Sequence, residues 1–149
     1  MEASSAMSQK VLLLGGVILD HYIVASFPQK GEDTLIVKEF DRVAGCALNV
    51  AVTLRNLGKN PYIVSSIGND LRGKTILAYL KKRRIDLKFI EQYASSEPIF
   101  SGYSMVVLDP DGERTFFTYR GCEGRLPQIL RPERKNDSSI RTTKGDIGT

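Results

Sequence analysis

The sequence predicts an α/β protein built on an open parallel sheet with crossover helices and a projecting β flap. Three observations predict it. Apolar runs of strand length alternate with amphipathic runs of helix length, in the order strand, helix, strand, helix, strand, between Val11 and Ile90. Two further β-prone stretches carry too much charge or too clear a turn to be central strands. At 149 residues and 42% hydrophobic content, the chain can bury a real core and does not have the composition of a disordered one.

Residues 1–10 are polar at their start and expected to be disordered. Val11–Leu14 followed by Gly15-Gly16-Val17-Ile18 reads as a strand buried on both faces. Asp20 then falls at or just past its carboxyl end, the edge where open α/β sheets bind ligands, although a turn former would sit there equally well. Tyr22–Ala25 and Leu35–Val43 are β-prone, and Lys38, Glu39, Asp41 and Arg42 keep one face of the second wet, as in a flap. Ala47, Val50, Ala51, Leu54 and Leu57 recur at helical spacing, and Gly58 closes that helix. Tyr62–Ile67 is a second core strand. A helix over Asp70–Arg83 points Leu71, Ile76, Leu77 and Leu80 inward, with Lys81 to Arg84 matching its negative dipole end. Leu87–Ile90 is a third strand. Ile99–Leu108 and Arg114–Tyr119 flank Asp109-Pro110-Asp111-Gly112, a hairpin turn. From Pro127 the chain loses apolar character and is expected to be disordered or aberrant through residue 149.

The net charge of +4 does not mark a nucleic-acid binder. Residues 125–149 hold six Lys and Arg against three Asp and Glu, so most of the excess lies in the tail. Val11–Leu19 is too short to span a bilayer, no export signal precedes it, and two cysteines make no disulfide framework. These features predict a cytoplasmic protein with no membrane partner.

The functional signal centres on Ala44-Gly45-Cys46-Ala47-Leu48-Asn49-Val50-Ala51. Ala44-Gly45 gives a backbone that a ligand can approach closely. Asn49 falls in the first helical turn, where open amides and the dipole favour oxygen-rich ligands. Local chemistry alone favours an ordinary strand-to-helix turn over a binding site.

The fixed spacing of Ala44-Gly45, Asn49, Ala51, Gly58 and Gly68 resembles the first signature of the PfkB carbohydrate kinases, the ribokinase-like sugar kinases. The likeness runs from about Val11 to Arg125. It implies a ribokinase-like three-layer α/β/α (Rossmann-like) sheet with a small β-sheet lid, incomplete at the C-terminus, the domain occupying residues 11–126 and the lid strands about 22–43 and 99–119. It implies a phosphotransferase that moves a phosphoryl group from ATP, with Mg2+, to a sugar or polyol hydroxyl. Asp20, Gly45 and Asn49 would hold the sugar, and Tyr103, Tyr119 and Arg120 on the lid hairpin would influence which sugar is taken. Gly121–Gly124 would turn the chain back into the body, and the lid could pair two subunits as a homodimer. The Gly-Ala-Gly-Asp turn that carries the family's catalytic Asp is absent from these residues. Truncation or a frame shift near Leu126 would explain this, and the chain alone is expected to be inactive.

One motif points elsewhere. Gly68-Asn69-Asp70-Leu71-Arg72-Gly73-Lys74-Thr75 fits the P-loop formula and would suit a nucleotide-binding protein. Asp70, however, puts a carboxylate where phosphate oxygens need amides, and Asn69 or Asp70 is better placed as a helix N-cap. A non-catalytic module that pairs through the lid is the remaining alternative.

Overall fold

The computed structural model describes residues 10–94, 99–125 and 127–131. Its strands are β1 (Val11–Leu14), β2 (Ile18–Val24), β3 (Lys38–Ala44), β4 (Pro61–Ile67), β5 (Ile90–Gln92), β6 (Tyr103–Leu108) and β7 (Arg114–Tyr119). Its helices are α1 (Cys46–Asn56) and α2 (Leu71–Lys82), with 3-10 turns at Gly121–Gly124 and Gln128–Leu130.

These elements make two sheets. The first, in the order β1-β4-β5, is parallel throughout, with Leu13 opposite Ile63 and Ser65 opposite Ile90. The second, in the order β3-β2-β6-β7, is the lid: antiparallel at both margins and parallel between β2 and β6. Ala47, Leu48 and Ala51 of α1 and Ile76 and Leu80 of α2 close over Ile63 and Ile67 of β4 to form the core. Both helices end on one side of the parallel sheet, as right-handed crossovers between neighbouring parallel strands require.

Helix termini follow the expected chemistry. Asp70 caps α2, its carboxylate accepting from the Gly73 amide at 3.0 Å. Past α1, Gly58 takes φ 75° while its amide bonds to the Arg55 carbonyl and that of Lys59 bonds to Leu54, which satisfies two terminal carbonyls. In the hairpin, Gly112 takes φ 86° and donates to Asp109, closing the turn between β6 and β7.

Several expectations need correction. The opening run is two strands in two different sheets, because the Gly15 amide makes the last bond to β4, at the Val64 carbonyl, and the chain then turns into the lid. The glycines permit this: a Cβ on Gly16 would overlap the Glu123 side chain. β1 is not buried on both faces, since Leu12 and Leu14 are 56% and 63% exposed while Leu13 packs on the core. Leu71, expected to point inward, is exposed; Gly73 takes the inner position and packs against the Gly68 carbonyl. On α1, Leu48 is buried and Val50 is exposed, as is Leu57 just past the helix end, so the buried face is rotated from the pattern. The third strand begins at Ile90, with only a bridge from Asp86 to Tyr62 ahead of it. Residues 128–130, within the tail expected to be irregular, form a 3-10 turn; the expectations for residues 1–9, 126 and 132–149 lie outside the described residues.

Candidate functional site

The site begins where β3 ends. Gly45 stands at φ 128°, ψ 142°, a backbone region essentially restricted to glycine, and any Cβ would overlap the Gly16 carbonyl. The turn therefore presses directly against Gly16-Val17, just before β2 starts. No side chain caps α1, which leaves the amides of its first turn open. Asn49 lies in that turn; its amide bonds to the Gly45 carbonyl at 3.0 Å and its side chain is exposed.

Asp20 lies on β2, two residues after Ile18, which pairs with Ala44 beside the Gly45 turn. Two residues of strand cover about 7 Å. Asp20 therefore lies near the end of the lid at which β3 runs into the Gly45 turn. Only 8% of Asp20 is exposed, and among the described residues no group donates a hydrogen bond to its carboxylate. Burial pushes the carboxyl above its ordinary value, and the positive charge of Arg42, its partner across β3, offsets part of that rise. A buried acid with open lone pairs and only partial charge compensation is suited to accepting hydrogen bonds from hydroxyls.

Strand alternation separates the other candidates from Asp20. Tyr103 pairs with Leu19 and Tyr119 pairs with Tyr103, so both tyrosines lie on the opposite face of the lid from Asp20. Their rings are 5.6 Å apart, and the Arg72 guanidinium lies 4.1 Å from the Tyr103 ring. On this face a cavity of about 490 Å³ opens between the lid and the first turns of α2, lined by Leu19, His21, Asp41, Arg72, Tyr103 and Met105 among others. His21 Nδ1 is 2.7 Å from Asp41 there. Arg120 follows β7 by one residue, with helical backbone angles, at the entrance to the 3-10 turn. Asp20 thus lies on the lid face opposite Tyr103 and Tyr119, on the strand that pairs with the one leading into the Gly45 turn.

Two residues not singled out from the sequence share the face of Asp20. Ser104 is its register neighbour on β6, and Thr118 is the partner of Ser104 on β7, their hydroxyls 2.7 Å apart. Counting in twos along the hairpin from a correct register would have found both.

The P-loop-like run serves the structure. Asp70 Oδ1 accepts from the Ser101 hydroxyl at 2.6 Å as well as from Gly73, and the Lys74 amide bonds to the Asp70 carbonyl. Burial raises the Asp70 carboxyl, but these hydrogen bonds outweigh it and hold the group below its ordinary value. Gly73 and Lys74 lie inside α2, so their amides are not free to cradle an anion. Among the described residues no group of three or more His, Cys, Asp or Glu side chains could hold a metal ion.

Comparison with known proteins identifies the family and the fold. Residues 8–133 match the pfkB family carbohydrate kinase profile. The chain is similar to the uncharacterized sugar kinase YegV of Escherichia coli, 29% identical over 119 residues, and to the ribokinase of Staphylococcus aureus, 27% identical over 119 residues. Each alignment covers 78% of the chain, which spans only 35% and 38% of the respective relatives. Among solved structures it resembles a Cryptococcus neoformans ribokinase determined with ADP, with TM-score 0.70 and 19% identity over 86% of this chain and 40% of that one. A Methanocaldococcus jannaschii nucleoside kinase of the ribokinase family gives TM-score 0.67 and 24% identity over 76% and 37%. At these identities the structures establish the ribokinase fold.

Proposed function

The chain belongs to the pfkB family of carbohydrate kinases, and from that premise we propose that it supplies the sugar-holding part of a kinase that phosphorylates a sugar or polyol hydroxyl from ATP. The observation that carries this reading is Asp20, a buried carboxylate with no hydrogen-bond donor among the described residues, on the strand paired with the one that leads into a turn strained for any residue but glycine.

In this reading Asp20 accepts hydrogen bonds from sugar hydroxyls, the close backbone at Gly45 lets the ring approach, and the Asn49 amide adds a donor and an acceptor. Holding the sugar at several points aligns one remaining hydroxyl for attack, which lowers the barrier by positioning. The family's catalytic Asp lies in a Gly-Ala-Gly-Asp turn, and no such run occurs in these 149 residues. They are expected to bind sugar and not to transfer phosphoryl on their own.

Titration calorimetry of the 149-residue chain with five- and six-carbon sugars, beside a coupled ATPase assay, tests this. Sugar binding without sugar-dependent ATP turnover is expected. Failure of every sugar to bind removes the sugar-holding role, and turnover removes the statement about transfer.

A lid-paired homodimer is supported by the exposed Met105 and Phe117, paired across β6 and β7 on one face of a small four-stranded sheet with two open margins. Light scattering on wild type and Phe117→Glu reads it: a dimer that the charge converts to monomer is expected, and a monomeric wild type removes the pairing.

A further inference from the structure

We propose that the cavity on the far face of the lid is a second ligand site, which takes a free amino acid as its zwitterion. Arg72 holds the carboxylate, Asp41 holds the ammonium, and Leu19 and Met105 receive an apolar side chain. The site is independent of the sugar-holding reading, because it uses the face of the sheet opposite Asp20.

The cavity measures about 490 Å³, within the range of small-molecule sites. Its floor is the lid. Leu19 on β2 pairs with Tyr103 on β6, and the next row on that face is Asp41, His21 and Met105. The first turns of α2 form the roof, where Leu71 is 79% exposed and offers apolar surface for a ligand to cover. From Asp41 to Tyr103 is two strand spacings and two residues of strand, about 12 Å between backbone positions. The Arg72 guanidinium stands over Tyr103 and reaches into the same cavity as Asp41, so the gap between the two charges is that of a small molecule.

Each end is prepared for one charge. The Arg72 guanidinium lies 4.1 Å from the Tyr103 ring, a contact that orients its fork of N–H donors. The carboxylate beside it, Asp70 Oδ2, is 3.8 Å away, beyond hydrogen-bond distance, because Asp70 is held through Oδ1 by Gly73 and Ser101. The fork is therefore open to a ligand carboxylate. At the other end His21 Nδ1 is 2.7 Å from Asp41 Oδ1, which leaves Oδ2 to accept from a ligand. Glu39, 3.6 Å from His21 Nε2, adds negative charge on that side. This layout selects among ligands by sign. A nucleotide or sugar phosphate would bring several negative charges beside Asp41, Glu39 and Asp70, and a polyamine would meet Arg72. A zwitterion places one charge of each sign where the opposite charge waits, and its apolar side chain fits between them.

Titration calorimetry of the 149-residue chain with L-leucine tests this, beside isocaproate and isoamylamine, which lack its ammonium and its carboxylate respectively. Met105 also belongs to the surface invoked for lid pairing, so the Phe117→Glu chain is titrated beside the wild type, and binding by either counts as binding. With the Arg72 and Asp41 side chains 43% and 55% exposed, L-leucine is expected to bind about 3- to 10-fold more tightly than each analogue. Arg72→Gln should bring leucine to the level of isoamylamine. Asp41→Asn should bring it to that of isocaproate while keeping an oxygen for His21. In a nitrogen-labelled chain, leucine should shift the amide resonances of Thr75 and Tyr103 and leave that of Asn49 in place. Thermal melts verify folding, and either folded variant decides if the other fails. The site is overturned if leucine does not bind, if an analogue binds as tightly, or if a folded variant binds leucine as the wild type does. Shifts at Asn49 in place of Thr75 would put the ligand at the glycine turn and overturn it too.

Discussion

Replacing Asp20 by Asn separates ligand binding from folding. The substitution keeps shape and removes the charge. Among the described residues no donor bonds to the carboxylate, so the folded protein loses no hydrogen bond. Burial outweighs the attraction of Arg42 and raises the carboxyl, so the folded state holds this proton more tightly than the unfolded one. Stability contributed by the group therefore falls as pH rises from 3.8 through the raised value, and the amide avoids that loss. The Asp20→Asn variant should melt at or above the wild-type temperature at pH 7, with the advantage disappearing below pH 3.8. Sugar affinity should fall, because a hydrogen bond to a charged group contributes about 1.5–3 kcal/mol, or roughly 10- to 150-fold in Kd. Differential scanning fluorimetry across pH and titration calorimetry read the two effects independently. Unchanged sugar affinity would refute the assignment. A melting temperature several degrees lower at pH 7 would show that the carboxylate serves the fold.

Gly45→Ala must leave the φ 128° region or push Gly16 away, at a strain of about 1–3 kcal/mol or more, and should lower both melting temperature and sugar affinity; a melt equal to wild type would contradict the close approach. Asp70→Ala removes the α2 cap and the hydrogen bond from the Ser101 hydroxyl, costing about 1–3 kcal/mol in urea denaturation. Because Asp70 is held below its ordinary value, its contribution is present above pH 3.8 and lost as pH falls through the depressed value, so the deficit of the Ala variant should shrink in acid. Lys74→Ala should leave any nucleotide binding unchanged in a fluorescent-nucleotide titration, because Lys74 is exposed inside α2; loss of tight binding would revive the P-loop reading.

The parallel sheet was legible because its signals are local. Strand, helix and cap each follow from a few adjacent residues: Asp70 before Leu71, Gly58 after Leu57, and the Asp109–Gly112 turn. What misled were features decided by packing. Gly15-Gly16 reads as an interruption within an apolar run, and only the contacts of Gly16 with Glu123 and Gly45 reveal that the chain changes sheets there. The apolar spacing in α1 identified a helix, yet which residues are buried depends on where β4 lies beneath it, and Leu48 displaced Val50.

The site was legible in part for the same reason. Gly45 and Asn49 belong to one turn and are recognisable by spacing, whereas the lid's share depends on register between strands more than 80 residues apart, Asp20 with Ser104. No local pattern sets that register. A shift of one residue exchanges the two faces of a strand, so it would exchange Tyr103 for Ser104 and Tyr119 for Thr118 beside the carboxylate. Aromatic side chains attract attention as sugar-stacking platforms, but in this register the tyrosines contact each other and Arg72, while the small hydroxyls stand beside Asp20. In this lid, alternation decides which side chains share the face of Asp20. A Tyr119→Phe variant, on the far face, should leave sugar affinity intact in the same calorimetric titrations where Asp20→Asn lowers it; an equal loss in both would show that the two faces act on one ligand.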